Sequence, residues 1–599
     1  MTSNGKPDPV QDALSTAIGH HQAGRAAEAE AIYRQVLAAE PDHPDALHLL
    51  GMLAHQAGRH EDALDLIGRA IERAPARAAF HNNLGEVCRV LGRLEEAMTH
   101  YRQALALAPD YTDATFNLGM VSMRLNDLDG AVECFRRVLA MRPDDADALE
   151  GLGVVLLGQE KPDQAAATLQ KALSVNPDSP LTHRYLANAL KATDKLADAA
   201  GHYRTYLAAN PDSLDVCLDL GNVLMKLGRP AAAAEQYRKV VSLDPDLAVA
   251  HNVLGNALRD LDQLEEAREC YRKGLSLKRA WPAPQAGTPA PAGRHGDDPA
   301  FSHIAAYKIA HDIEQFRYLL GKGVLPDDFA DEVAAYQSVL EELLAADAGV
   351  RVFEMTPDQR ARIGRTYNRL VHVAEAPAGA ESPINPDLDV KAIEDDYFAN
   401  GTEATFIDDL LTPEALEGLR RFCLESTIWY DLHHTGGYLG AYLQEGFYCD
   451  LLLKIAEDLR RALPNIIGEH RLRHMWAYKY DSRLHGIPMH ADEAAVNVNF
   501  WITPDDANLD AEGGGLVVYP REAPLEWDFK KFNNDQESIR AFIAGCEPID
   551  VPHRQNRAVL FNSDYFHRTG DLNFKEGYEN RRINVTLLYG WRDGRTPTG

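Results

Sequence analysis

The chain has 599 residues, too many for one hydrophobic core, so several domains are expected. Its 90 acidic and 61 basic residues leave a net charge of −29, which argues against phosphate backbones and anionic lipid as partners. Seven scattered cysteines with no CxxC pair, no apolar leader in MTSNGKPDPVQDALS and no long apolar run exclude a disulfide framework and a membrane span, and predict a cytoplasmic protein.

Residues 1–8 read as a disordered N-terminus. Beyond them the chain repeats itself. Proline recurs at 41, 75, 109, 143, 177, 211 and 245, each 34 residues after the last. Leucine recurs at 50, 84, 118, 152, 186, 220 and 254, followed by glycine everywhere except at Ala187. Alanine holds a third register from Ala29 to Ala267. Four residues after most of these alanines comes an aromatic, among them Tyr33, Tyr101, Phe135, Tyr203, Tyr237 and Tyr271. Small residues suit a close approach of paired helices, and the aromatics share the alanine's face and can fill the groove between helix pairs. Proline ends each unit. This 34-residue pattern resembles the tetratricopeptide repeat. It implies eight units over 9–279, an all-α solenoid coiled into a right-handed superhelix with an extended concave surface.

Asn83 and Asn117 precede the Leu-Gly pair, and Asn188, Asn222 and Asn256 follow it. The resemblance implies that asparagines on first helices can face the groove and bind the backbone of an extended protein or peptide partner. The alternative is a solvated polar face.

Residues 280–300 form a Pro/Ala/Gly-rich linker. Helical patterning returns over 301–375, from His303 to about Asp347 and again from Pro357 to Ala374. These helices either cap the solenoid or buttress the C-terminal β domain, and His311 reads as a surface or packing residue. A loop over 376–395 leads into the last region, 396–599.

That region reads as a short strand at Thr405–Asp408, a helix capped by Thr412 before Pro413, and a helix from about Asp450 to Leu463. Strands come next at Leu472–Tyr480, Ala494–Thr503, Gly515–Tyr519, Arg557–Asn562 and Arg581–Tyr589. Residues two apart on a strand share a face, so His490 and Asp492 can offer a nitrogen and an oxygen to one metal. The spacing alone is weak evidence. His43/Asp45 and His60/Asp62 fall at helix turns, and His295/Asp297 falls in the linker. Only the fourth pair lies among strands with a later histidine. A second imidazole from a distant strand would complete a two-histidine, one-carboxylate set suited to non-haem Fe(II).

From Thr405 to Trp591 this stretch resembles the double-stranded β-helix of 2-oxoglutarate- and Fe(II)-dependent oxygenases of the prolyl-hydroxylase-like group. The resemblance implies a jelly roll with flanking helices, with His490, Asp492 and His567 as ligands of Fe(II). His553 competes for the distal position, and His485 reads as a loop histidine near the mouth. Arg582, with Arg581 as fallback, would hold the far carboxylate of 2-oxoglutarate as a bidentate fork. Where the family often has Arg-x-Ser, this chain has Arg582-x-Asn584, whose asparagine can donate a hydrogen bond. Tyr480 either contacts the cosubstrate or is a core aromatic, and Asn497 and Asn499 are weaker candidates for the pocket wall. Dioxygen would take the last iron position, with ascorbate as an accessory reductant. Asp492 argues against halogenation. The implied activity is hydroxylation of a protein or peptide recruited by the repeats. The alternatives are a scaffold with an inactive or sensory oxygenase-like domain, and a hydroxylase of a small molecule or glycan precursor.

Overall fold

The computed structural model describes residues 9–279, 299–346, 351–432, 438–481, 486–527 and 529–591. The N-terminal residues 1–8, the linker over 280–298 with His295, and His485 lie outside them. The chain divides into two compact units, Met1–Val216 and Cys217–Gly599. The division falls inside helix Leu214–Lys226, whereas the sequence suggests a boundary at the linker. Among the described residues no helix is long and apolar enough to cross a membrane.

Sixteen helices in eight antiparallel pairs run from Pro9 to Arg279. Proline opens the helices at Pro44, Pro162, Pro180 and Pro230, where its missing N–H is no loss. Each pair turns on one residue in the left-handed region: Gly24, Gly58, Gly92, Asn126, Glu160, Asp194, Gly228 and Asp262. This register also repeats every 34 residues, and the mixed residue types hide it in the sequence. The regular spacing of small residues has a steric cause. A Cβ on Gly85 would lie 2.8 Å from the Tyr101 ring, and one on Gly255 would lie 2.7 Å from Tyr271. Tyr101 and Tyr271 pack on the glycine of their own pair, whereas Phe135 lies between pairs, 3.2 Å from a Cβ on Gly119 and 2.7 Å from one on Gly151 of the next pair, as groove filling requires.

Between repeats and sheets, helices Ala306–Gly321 and Ala330–Ala345 pack into one core with Phe316, Phe329 and Tyr336. The expected helix from Pro357 to Ala374 is shorter and ends at Ile363. His311 is a packing residue, fully buried against Trp429 and Tyr578. The connector does both tasks left open by the sequence. Gln315 donates to the Leu424 and Ser426 carbonyls at 3.1 and 2.9 Å, buttressing the sheet region. Leu370 N–H donates to the Arg279 carbonyl at 2.8 Å, closing the end of the last repeat.

The C-terminal region is sheet-rich. Its strands are β1 (Ala404–Ile407), β2 (Tyr438–Tyr442), β3 (Leu472–Tyr480), β4 (Val496–Trp501), β5 (Leu516–Glu522), β6 (Ile549–Val551), β7 (Ala558–Asn562), β8 (Tyr565–Thr569) and β9 (Ile583–Tyr589). An antiparallel six-stranded sheet has the order β1-β7-β4-β9-β3-β2. A three-stranded sheet has the order β8-β5-β6. Trp501, Val559 and Phe561 of the first sheet pack with Leu516, Val518, Val551 and Tyr565 of the second. β2, β6 and β8 are not legible as strands in the sequence, because each is short and lies beside turn-forming residues.

Candidate metal centre

His490 and His567 meet through a two-hydrogen-bond antiparallel bridge, His490 N–H to His567 O at 3.0 Å and the reverse at 2.8 Å. The bridge extends the small sheet beyond β8 and sets the two rings 4.2 Å apart. Asp492 N–H donates to the Ser563 carbonyl at 3.1 Å, which fixes the carboxylate beside them. One potential ligand atom from each of His490, Asp492 and His567 lies within 4.8 Å of the others. The sequence spaces these residues 77 apart at most, and only strand pairing closes that distance.

Both imidazoles are oriented alike. His490 Nδ1 donates to the Pro488 carbonyl at 2.9 Å and His567 Nδ1 to the Tyr565 carbonyl at 3.1 Å. A carbonyl only accepts, so each Nδ1 carries the proton and each Nε2 is left with its lone pair, the form a metal needs. Asn497 donates to Asp492 Oδ2 at 2.7 Å and is itself tied to Asn499. Burial raises the Asp492 carboxyl above its usual range. Burial, with the neighbouring His490, drives His567 well below its usual value, so it is neutral.

Arg582 lies in the same recess, 2% exposed. Its Nε donates to the Gly514 carbonyl at 2.6 Å and its Nη2 to the Gly515 carbonyl at 3.1 Å. Its Nη1 is buried with no hydrogen-bond partner, so both N–H groups of that nitrogen are left for an acceptor entering the recess. The guanidinium sits 4.9 Å from the Tyr480 ring and 5.5 Å from Trp501. Tyr480 lines the recess, and its hydroxyl is 3.5 Å from Thr569 Oγ1.

Other residues fall differently from their sequence reading. Arg581 is outside the recess and pairs with Glu314 at 2.8 Å and Asp481 at 3.3 Å. His553 is outside the ligand cluster, tilted against Trp501 with ring centres 5.6 Å apart, where burial and the nearby Arg582 hold its pKa down at about 3. Asn584 spends its amide hydrogens on Asn499 Oδ1 at 2.7 Å and Thr586 Oγ1 at 3.1 Å. What it offers is a buried, unpartnered Oδ1, an acceptor, so it does not supply the donor expected from the Arg-x-Asn pattern. Thr586, which shares the strand parity of Arg582 and Asn584, and Thr569, which carries no signal in the sequence, also line the recess.

The cluster opens into a cavity of about 580 Å³ whose wall includes Tyr442, Trp476 and Tyr478. Toward Arg582 the recess narrows to about 20 Å³, the room of one water. The alternation of β3 places His474, Trp476, Tyr478 and Tyr480 on one face, but only the strand pairing reveals β2 opposite them.

In the repeats, the asparagines are held by their own array. Tyr203, Tyr237 and Tyr271 hydroxyls donate to Asn188, Asn222 and Asn256 at 2.6, 2.8 and 2.8 Å. Asn83 donates to His48 Nε2 at 2.8 Å, and Asn117 to Asn82 Oδ1 at 3.2 Å. They are neither a freely solvated row nor an unengaged one, since each has a structural partner.

Family models described as tetratricopeptide repeat match residues 20–85 and 218–284. One described as the middle TPR-like domain of cilia and flagella-associated protein 70 matches residues 82–184. The N-terminal region is an array of tetratricopeptide repeats. Among solved structures, MamA protein is 24% identical, covering 28% of this chain and 91% of its own, with a TM-score of 0.27. YrrB, titled a TPR protein with an unusual peptide-binding site, is 23% identical over 31% of this chain and 95% of its own, with a TM-score of 0.29. Pseudomonas aeruginosa pilF is 23% identical over 34% of this chain and 92% of its own, with a TM-score of 0.31. No curated protein matches the chain.

Proposed function

We propose that the C-terminal region is an Fe(II)- and 2-oxoglutarate-dependent dioxygenase of the double-stranded β-helix type, acting on a polypeptide held by the tetratricopeptide repeats. The observation that carries this reading is the meeting of His490, Asp492 and His567 beside a buried arginine with an uncommitted donor. The strand order supports it. From β3 to β9 the chain passes between the two sheets, with β3, β4, β7 and β9 in one and β5, β6 and β8 in the other, as a jelly roll requires.

The residues fit the implied groups. His490 and His567 would hold Fe(II) through Nε2 and Asp492 through a carboxylate oxygen, leaving other coordination positions open. Arg582 would receive the far carboxylate of 2-oxoglutarate, and Asn497 keeps Asp492 oriented. When bound, iron, 2-oxoglutarate and O2 supply the oxidation of a substrate C–H to C–OH, with release of succinate and CO2. Asp492→Ala should abolish succinate formation that the wild type shows with 2-oxoglutarate, and no turnover with no metal binding in the wild type would reject the reading.

A second reading, a repeat scaffold with an inert oxygenase-like domain, is favoured by the narrow recess of about 20 Å³ beside Arg582. A five-carbon diacid enters only if side chains lining the recess move. Calorimetric binding of 2-oxoglutarate separates the two readings.

A further inference from the structure

We infer that the cavity in front of the metal cluster accepts a cationic side chain, that of a lysine or arginine in an extended polypeptide. This rests on the dioxygenase reading for its role in catalysis, though not for binding itself.

The cavity wall is made by two neighbouring strands. On β3 the residues His474, Trp476, Tyr478 and Tyr480 lie on one face, and β2 sets Tyr442 opposite Trp476 and Tyr438 opposite Tyr480. Between them β2 has Gly440 opposite Tyr478, where a Cβ would lie 3.0 Å from the Tyr442 ring. The glycine lets Tyr442 lean over Tyr478, at 87° to it and with hydroxyls 3.4 Å apart. Trp476 stands at 53° to Tyr478 and Tyr438 at 73°. Rings tilted against one another present π faces from several directions, the arrangement that attracts a cation.

The charges of the wall agree. Among the described residues, apart from the metal ligand Asp492, its lining contains the carboxylate of Glu493 and no lysine or arginine. The arginines near β3 are turned to other work. Arg473 pairs with Asp260 at 3.1 Å, and Arg259 bonds the same carboxylate at 2.9 Å. The chain as a whole carries −29, which draws basic rather than acidic partners toward any opening.

The repeat array explains why the occupant is a polypeptide. Helix Ala248–Asp260, the first helix of the last pair, ends against β3: Arg471 donates to the Asp260 carbonyl at 3.1 Å. His474, three residues further, already lines the cavity. The end of the last repeat pair therefore lies beside the strand that walls the cavity, where a polypeptide held by the repeats would be close to it.

The test uses the full-length protein with Mn(II) and 2-oxoglutarate. Capped ten-residue Gly/Ser/Ala peptides carrying one central lysine, arginine, norleucine or citrulline are titrated by calorimetry and tryptophan fluorescence. The lysine and arginine peptides should bind roughly tenfold more tightly than their neutral counterparts. That preference should shrink in Glu493→Gln, an exposed position, and in Trp476→Leu. Equal binding of charged and neutral peptides to the wild type overturns the inference, as does a preference unchanged in both variants. Metal titration of the same samples keeps the two ideas apart. Metal binding without charge preference removes only this inference, and charge preference without metal binding removes only the dioxygenase reading.

Discussion

Asp492→Ala should remove the stabilisation of the protein by divalent metal without weakening the metal-free protein. Asp492 is held beside two imidazoles, and burial raises its carboxyl above the usual range. A raised folded-state value means that the folded protein holds the proton more tightly than the unfolded chain. Stability therefore falls as pH rises from the unfolded value through the folded one, and the deficit remains at pH 7. A bound cation cancels that deficit, whereas alanine simply deletes it. At a hundredfold excess over its dissociation constant, metal adds about 2.7 kcal/mol. For a cooperative unit of about 400 residues this raises Tm by roughly 3 °C. Calorimetric scans with anaerobic Fe(II) or with Mn(II) should show the rise in the wild type and in His553→Ala. Asp492→Ala and His567→Ala should show none. An equal rise in Asp492→Ala, or loss of the rise in His553→Ala, refutes the assignment of ligands.

Arg582→Met should leave metal binding intact and weaken 2-oxoglutarate binding roughly 10- to 100-fold, the worth of a charge-assisted hydrogen bond, as read by calorimetry. Gly255→Ala should cost about 1–3 kcal/mol in urea melts, because its Cβ would lie 2.7 Å from the Tyr271 ring. Gly201→Ala, in an open helical position, should cost nothing or stabilise slightly. Burial holds His48 down at about 4, where it stacks on Phe80 and accepts from Asn83. Its contribution is complete above pH 6.5 and is lost as pH falls from there toward 4, so His48→Gln should flatten the acid limb of the urea midpoint against pH.

The repeat array is legible because it is local. Most 34-residue units carry their own proline stop, small residue and aromatic, and each is read against the next unit only. The left-handed turn residues are hidden because Gly92, Asn126, Glu160 and Asp194 reach one backbone conformation with different side chains. The sequence also singles out His490 and Asp492 by their strand-like surroundings, although the structure gives His490 only an isolated bridge and leaves Asp492 outside the strands. The sequence favours His567 over His553 from position, because His567 follows the strand RAVLFNS, and the pairing of His567 with His490 is what brings the two imidazoles together. The sequence cannot tell that Asn584 faces Asn499 with its amide, or that β2 supplies Tyr442 to the cavity. Helix pairing is settled within a few tens of residues. A site assembled from β2, β3, β8 and β9 depends on hydrogen bonds between segments far apart in the chain, and only the tertiary structure fixes their register.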